Sequence, residues 1–194
     1  MTAHAISARV GRVTRRACCV GAVALTGALV AGCGSSSAPV TPTTPAQKFS
    51  AGLAALTQGK DQQAATYFKE LVAANPRDSN AEYNLGLAEA YLNEPAAAEA
   101  AYQRAIAIDP KMTSALYNLA DLQEAHDPQL AIATLRRVLA IDPNNTSAQF
   151  NLGYWLEQRG KIAEGEALLG KAIAADPSLR SRVPAGIKLP ASAG

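Results

Sequence analysis

The chain has 194 residues, enough for one domain with additions. It is 48% hydrophobic but only 5% aromatic, a balance that favours closely packed helices over a large aromatic core. The formal charge of +2 misleads: Arg9, Arg12, Arg15 and Arg16 all fall in the first 32 residues, where no Asp or Glu occurs, and the rest of the chain carries 14 basic against 16 acidic residues. That net of −2 argues against nucleic acid as the partner.

Arg9 to Arg16 form a basic segment, and Ala17 to Gly32 then run uncharged and mostly apolar. The run is shorter than the roughly 20 residues a spanning helix needs, and its flanks read as a secretory leader over 1–32. Arg15-Arg16 hints at twin-arginine export, but the apolar pair expected after it is replaced by Ala17 and Cys18. The leader ends Leu29-Val30-Ala31-Gly32-Cys33, which resembles the lipobox of bacterial lipoproteins. The resemblance implies cleavage before Cys33, a diacylglyceryl group on its thiol and an acylated amine, hence a protein exported and lipid-anchored to a bacterial membrane on its periplasmic or cell-surface side. Two or more acyl chains anchor stably where one is marginal. Cys18 and Cys19 lack the Val-Ala-Gly signature and read as leader. All three cysteines lie in the first 33 residues, so the rest of the chain has neither a disulfide framework nor a cysteine metal cluster. Residues 33–44 are rich in Ser, Thr and Pro without apolar periodicity, and read as an extended tether.

Beyond the tether the chain repeats. An Asn or Asp followed by proline recurs at Asn75-Pro76, Asp109-Pro110, Asp142-Pro143 and Asp176-Pro177, with spacings of 34, 33 and 34. A small-residue mark recurs in step at Ala51-Gly52, Leu85-Gly86, Leu119-Ala120 and Leu152-Gly153. Each unit reads as two helices, the second stopped by its proline, which cannot continue the ladder and disfavours helix in the residue before it. In the third unit Asp127 is placed to cap the second helix, with Pro128 in its first turn.

In length and pattern these units resemble the tetratricopeptide repeat. The second helices supply Ala64, Phe68, Leu71 and Pro76; Ala98, Tyr102, Ala105 and Pro110; Ala131, Leu135, Val138 and Pro143; Gly165, Leu169, Ala172 and Pro177. The resemblance implies an all-α, right-handed superhelical solenoid of four helix-turn-helix units at 45–78, 79–112, 113–145 and 146–179, with a tail at 180–194. There are departures from the family pattern. The aromatic usual at the fourth position is replaced by Lys48, Glu82, Leu116 and Gln149, and an aromatic stands one place later. Glu89 takes the place of a core tyrosine, and the third unit is one residue short in its turn near His126. Pro184 and Pro190 forbid a long covering helix after the last unit, so the tail either lies over that unit or leaves an apolar face for a partner.

Catalytic motifs are absent, as is a constellation around His126, which reads as a solvated turn histidine; Glu164 and Glu166 read as solvated helix face. The chain reads as a binding scaffold without cofactor or metal, not an enzyme. The resemblance places the fifth, ninth and twelfth positions of each unit on a concave, peptide-binding face. The candidate groove residues are Phe49, Tyr83, Tyr117 and Phe150, with Asn84, Asn118 and Asn151 beside the last three, and Tyr154. Aromatics give large, stiff contact area, and asparagine amides both donate to and accept from a peptide backbone. The alternative is that these residues serve packing between units. Leu53, Leu56, Leu87 and Ala90 make the first half of the groove apolar. Asp121, Glu124 and Glu157 make the second half acidic, which points to a segment with basic residues at one end. The reading that follows is an envelope adaptor that binds protein or peptide segments. A pilotin-like assembly factor and a self-associating scaffold, using the last unit as its interface, are the alternatives.

Overall fold

The computed structural model describes residues 41–184, 186 and 187; the leader, Cys33, most of the tether and the end of the tail lie outside the described residues. Four of the five Asx-Pro pairs, all but Asp127-Pro128, set the rhythm of the fold. Asn75, Asp109, Asp142 and Asp176 all have extended backbone, with φ between −141° and −123°, as the following proline demands. Each side chain then accepts a hydrogen bond from the N–H two residues on: Arg77, Lys111, Asn144 and Ser178, at 3.0–3.2 Å. This Asx turn explains why the residue before each proline is Asn or Asp.

The described residues form eight α-helices: α1 (Pro45–Gln58), α2 (Asp61–Ala74), α3 (Ser79–Tyr91), α4 (Pro95–Ile108), α5 (Thr113–Glu124), α6 (Pro128–Ile141), α7 (Thr146–Gln158) and α8 (Ile162–Ala175). They pair as four hairpins that stack into an all-helical solenoid, and no strand occurs among the described residues. Thr44 and Gln47 form a capping box on α1, Asp78 caps α3, and Asn145 caps α7. The Asp127 carboxylate accepts from the Leu130 N–H at 3.0 Å, capping α6 as its position before Pro128 suggests.

Three hairpins reverse through one left-handed residue: Gly59 (φ 73°), Asn93 (φ 60°) and Gly160 (φ 76°). The next N–H then bonds the carbonyl five residues back, as Lys60 does to Ala55 at 2.9 Å. The third hairpin has no such residue. Ala125 stays right-handed, and the Asp127 N–H reaches only four back, to Gln123 O at 2.7 Å. The residue missing near His126 is thus the left-handed one, and α5 is the shortest of the eight helices at 12 residues.

Small residues let the paired helices touch. A Cβ on Gly86 would lie 2.6 Å from the Tyr102 ring, and one on Gly153 would lie 2.9 Å from the Gly165 carbonyl oxygen. Phe68, Tyr102, Leu135 and Leu169 fill the core against these sites, each at most 1% exposed. Burying a side chain of that size stabilises by roughly 1.5–3 kcal/mol.

Of the departures from the family pattern, Leu116 joins the core, while the buried polar side chains find partners for some of their atoms. Glu82, buried in α3, accepts from Arg104 Nε at 2.8 Å, and Glu89 lies 3.4 Å from Lys69 Nζ. Gln149 donates to Pro143 O at 2.7 Å, and Thr134 donates to Gln123 across the buried α5–α6 seam at 2.8 Å. After α8 a 3-10 helix, Pro177–Arg182, folds the tail back over the last hairpin. Leu179, 8% exposed, joins Phe150, Leu169, Ala172 and Ile173, with Val183 and Ile187 packed beside them. Of the two outcomes left open for the tail, the described residues take the first: it lies over the last unit.

Candidate functional site

Helices α1, α3, α5 and α7 form the inner row, and each presents an aromatic at the same place. Phe49 meets Phe68 edge-on at 5.8 Å, and Tyr83 lies 6.0 Å from Tyr102. Phe49, Tyr83, Tyr117 and Tyr154 are half-buried, whereas Phe150 is only 6% exposed.

The asparagines do more than line the face. Asn118 Nδ2 donates to the Tyr83 hydroxyl of the unit before it at 3.3 Å, and Asn151 Nδ2 donates to the Tyr117 hydroxyl at 2.9 Å. These are bonds between consecutive units, so part of the amide row is spent on holding the solenoid in register. Asn84 has no such partner, because the unit before it offers Phe49, which has no hydroxyl. It is nearly buried and donates instead to Asn80 O within its own helix at 2.8 Å. As placed, Asn84 turns inward, while Asn118 and Asn151 stay half-buried on the inner face. An amide has two N–H groups and a carbonyl oxygen, so both keep an acceptor for a ligand and Asn151 keeps a donor as well, whereas Asn118 also interacts with the Tyr102 hydroxyl.

Around this ladder lies a depression of about 250 Å³ lined by Tyr83, Thr113, Ser114, Tyr117, Asn118, Asn145 and Ser147. Its walls are aromatic rings, hydroxyls and amides without a charged side chain. Burial raises the Tyr83 phenol, against the lowering effect of hydrogen bonds from Ser114 and Asn118. Burial likewise raises Tyr117, with Asp121 adding to the rise and Arg182 and Asn151 opposing it. Both phenols are therefore neutral at physiological pH and keep an O–H to donate.

One turn beyond Tyr117 on α5, Asp121 has its carboxyl raised above the ordinary aspartate value, by burial first and by Glu124 second. Asp121 is nonetheless open to solvent. Both hold at once on a concave surface, where protein surrounds a group that water can still reach. Glu124 is paired with Arg159 across from α7 at 3.4 Å, but no cation among the described residues pairs with Asp121. Glu157 is half-buried near the Gly165 contact, with Oε1 fully covered. A basic group absent from the sequence pattern also reaches the row: Arg182, from the tail, stands over the Phe150 ring with Cζ 5.0 Å from its centroid. Only the fold of the tail brings it there, so repeat-position reasoning misses it. Among the described residues no three His, Cys, Asp or Glu side chains converge as metal ligands, and no helix is long and apolar enough to cross a membrane.

Two family models, each described as tetratricopeptide repeat, match residues 49–113 and 122–183. Among solved structures, a crystal structure of MamA is 24% identical with a TM-score of 0.64, covering 73% of this chain and 83% of that one. YrrB, described as a tetratricopeptide-repeat protein with an unusual peptide-binding site, is 20% identical with a TM-score of 0.60, covering 71% and 74%. The first repeat domain of Spaghetti (RPAP3), bound to the HSP90 peptide SRMEEVD, is 23% identical with a TM-score of 0.57, covering 62% and 97%. No curated protein matches the sequence closely.

Proposed function

This chain belongs to the tetratricopeptide-repeat family, and on that footing we propose that it is an adaptor whose inner helix row binds an extended protein segment. The observation that carries the proposal is the row itself. Tyr83, Tyr117, Asn118 and Asn151 combine half-buried rings with amides that keep hydrogen-bonding capacity, at one place in consecutive units. An extended backbone offers donors and acceptors at regular intervals, which such a ladder meets whatever the side chains. Peptide binding by YrrB and by the Spaghetti domain supports the same use of the fold.

We further propose that acylated Cys33 holds this adaptor to a bacterial membrane. Val30-Ala31-Gly32-Cys33 and the Ser/Thr/Pro tether after it support that reading. A short anchor, a solvated tether and a binding body suit a protein that gathers others in the cell envelope. The self-associating alternative loses its main support, because the tail covers the last hairpin through Leu179.

The test is site-specific crosslinking in the native cell. A photoreactive phenylalanine at Tyr117 faces the inner row, and one at Gln103 sits on the exposed side of α4. The proposal expects a discrete protein adduct from the first position and none from the second. Equal adducts from both, or none from Tyr117, would count against the groove.

A further inference from the structure

The four in-register aromatics are not equivalent. Phe49, Tyr83 and Tyr117 are half-buried, while Phe150 is 6% exposed beneath Arg182 and the tail. In the second and third units the next unit's asparagine comes over the ring's hydroxyl. At Phe150, which has no hydroxyl and no following unit, a guanidinium lies over the ring face instead. We propose that the aromatic row seats guanidinium groups, that Arg182 is the resident occupant of its fourth position, and that the partner segment brings an arginine to the third position, between Tyr117 and Asp121.

This rests on the groove reading above and names what the groove prefers. A guanidinium is planar and weakly hydrated, so it can lie on an aromatic face while its edge donates to a carboxylate. The third position offers both halves of that recognition. Tyr117 supplies a half-buried ring, and Asp121 follows one helical turn away on the same face. Asp121 is a solvent-open inner carboxylate that no described cation neutralises, whereas Glu124 already has Arg159 and Glu157 is half-buried with one oxygen covered. Arg182 also acts electrostatically on Tyr117. Concave surroundings that penalise the Asp121 charge strengthen its attraction for a cation that enters. Lysine would meet the charge but not the ring-stacking geometry, and citrulline would keep the shape without the charge.

The experiment titrates the full chain, purified in detergent, with fluorescein-labelled nonapeptides of alternating glycine and arginine, lysine or citrulline, read by anisotropy at low salt. The arginine peptide is expected to bind at least ten-fold more tightly than the citrulline peptide and several-fold more tightly than the lysine peptide. Asp121→Asn should weaken it at least five-fold, whereas Glu94→Gln, an equal charge change at an exposed turn, should leave it unchanged. Arg182→Ala should tighten it several-fold, because a second seat opens and a repelling cation is gone. Circular dichroism confirms that each variant is folded. Equal binding of the arginine and citrulline peptides, an unaffected Asp121→Asn, or weaker binding by Arg182→Ala would each overturn the proposal. If these peptides fail while Tyr117 still crosslinks to a protein, the arginine preference falls and the groove reading stands. If Tyr117 also yields no adduct, both fall.

Discussion

Replacing Gly153 by alanine sets two effects of opposite sign against each other. Alanine is a better helix former than glycine by about 1 kcal/mol, so on propensity alone the variant should be more stable. The packing says otherwise. The new Cβ would stand 2.9 Å from Gly165 O, 3.0 Å from Leu169 N and 3.0 Å from Leu169 Cγ. Two of these atoms are backbone, so no side-chain rotation relieves the contact, and α7 must move off α8 by a few tenths of an ångström. Overpacking of this kind costs roughly 1–3 kcal/mol. The net expectation is a loss of about 1 kcal/mol, or about 2–4 °C in Tm for a chain of this size. Thermal unfolding followed by circular dichroism is the assay. Ala167→Gly, on the exposed side of α8, calibrates the propensity effect in the same array. If Gly153→Ala raises Tm by as much as Ala167→Gly lowers it, the helices are not in backbone contact and the packing argument is refuted.

Leu179→Ala should destabilise by roughly 2–3 kcal/mol, because it opens a cavity under the tail against Phe150, Leu169 and Ile173; an unchanged denaturant midpoint would mean that the tail does not cover the last hairpin. Asp121→Asn should stabilise the fold at neutral pH. Because burial raises the Asp121 carboxyl in the folded state, its charge costs stability above that raised value, and the cost disappears as pH falls below the ordinary 3.8. Urea titrations at pH 7 and pH 3 should therefore show a gain at the first and none at the second. Intact-mass analysis of the membrane fraction should show loss of residues 1–32 and acyl chains on Cys33; an unmodified Cys33 would remove the anchor from the account.

The solenoid was legible in the sequence because its marks are geometric necessities. Asx-Pro ends the second helix of each unit, and a small residue in the first helix makes room for a large one in the second. Those constraints repeat with the fold, so they repeat in the chain. What was not legible depended on contacts between units or on the tail. Asn118 and Asn151 stood out as a row for a ligand, but their spacing did not reveal that each also donates to a tyrosine hydroxyl one unit away. Asn84 looked equivalent to them, and its difference comes from Phe49 lacking the hydroxyl that Tyr83 and Tyr117 carry. Glu82 and Glu89 read as breaks in the pattern, whereas Arg104 and Lys69, on neighbouring helices, each reach one oxygen of these carboxylates and leave the other buried without a partner. Arg182 belongs to no repeat position, and only the 3-10 turn that buries Leu179 carries it over Phe150.

The central claim is that the inner helix row binds an extended protein segment. Its most direct test is calorimetric titration of the segment crosslinked at Tyr117, made as a synthetic peptide, against the parent chain and an Asn118→Ala/Asn151→Ala variant. Each amide hydrogen bond is worth about 0.5–1.5 kcal/mol, so the account predicts affinity about ten-fold weaker or worse in a variant that remains folded. A folded variant that binds the segment as tightly as the parent would contradict it.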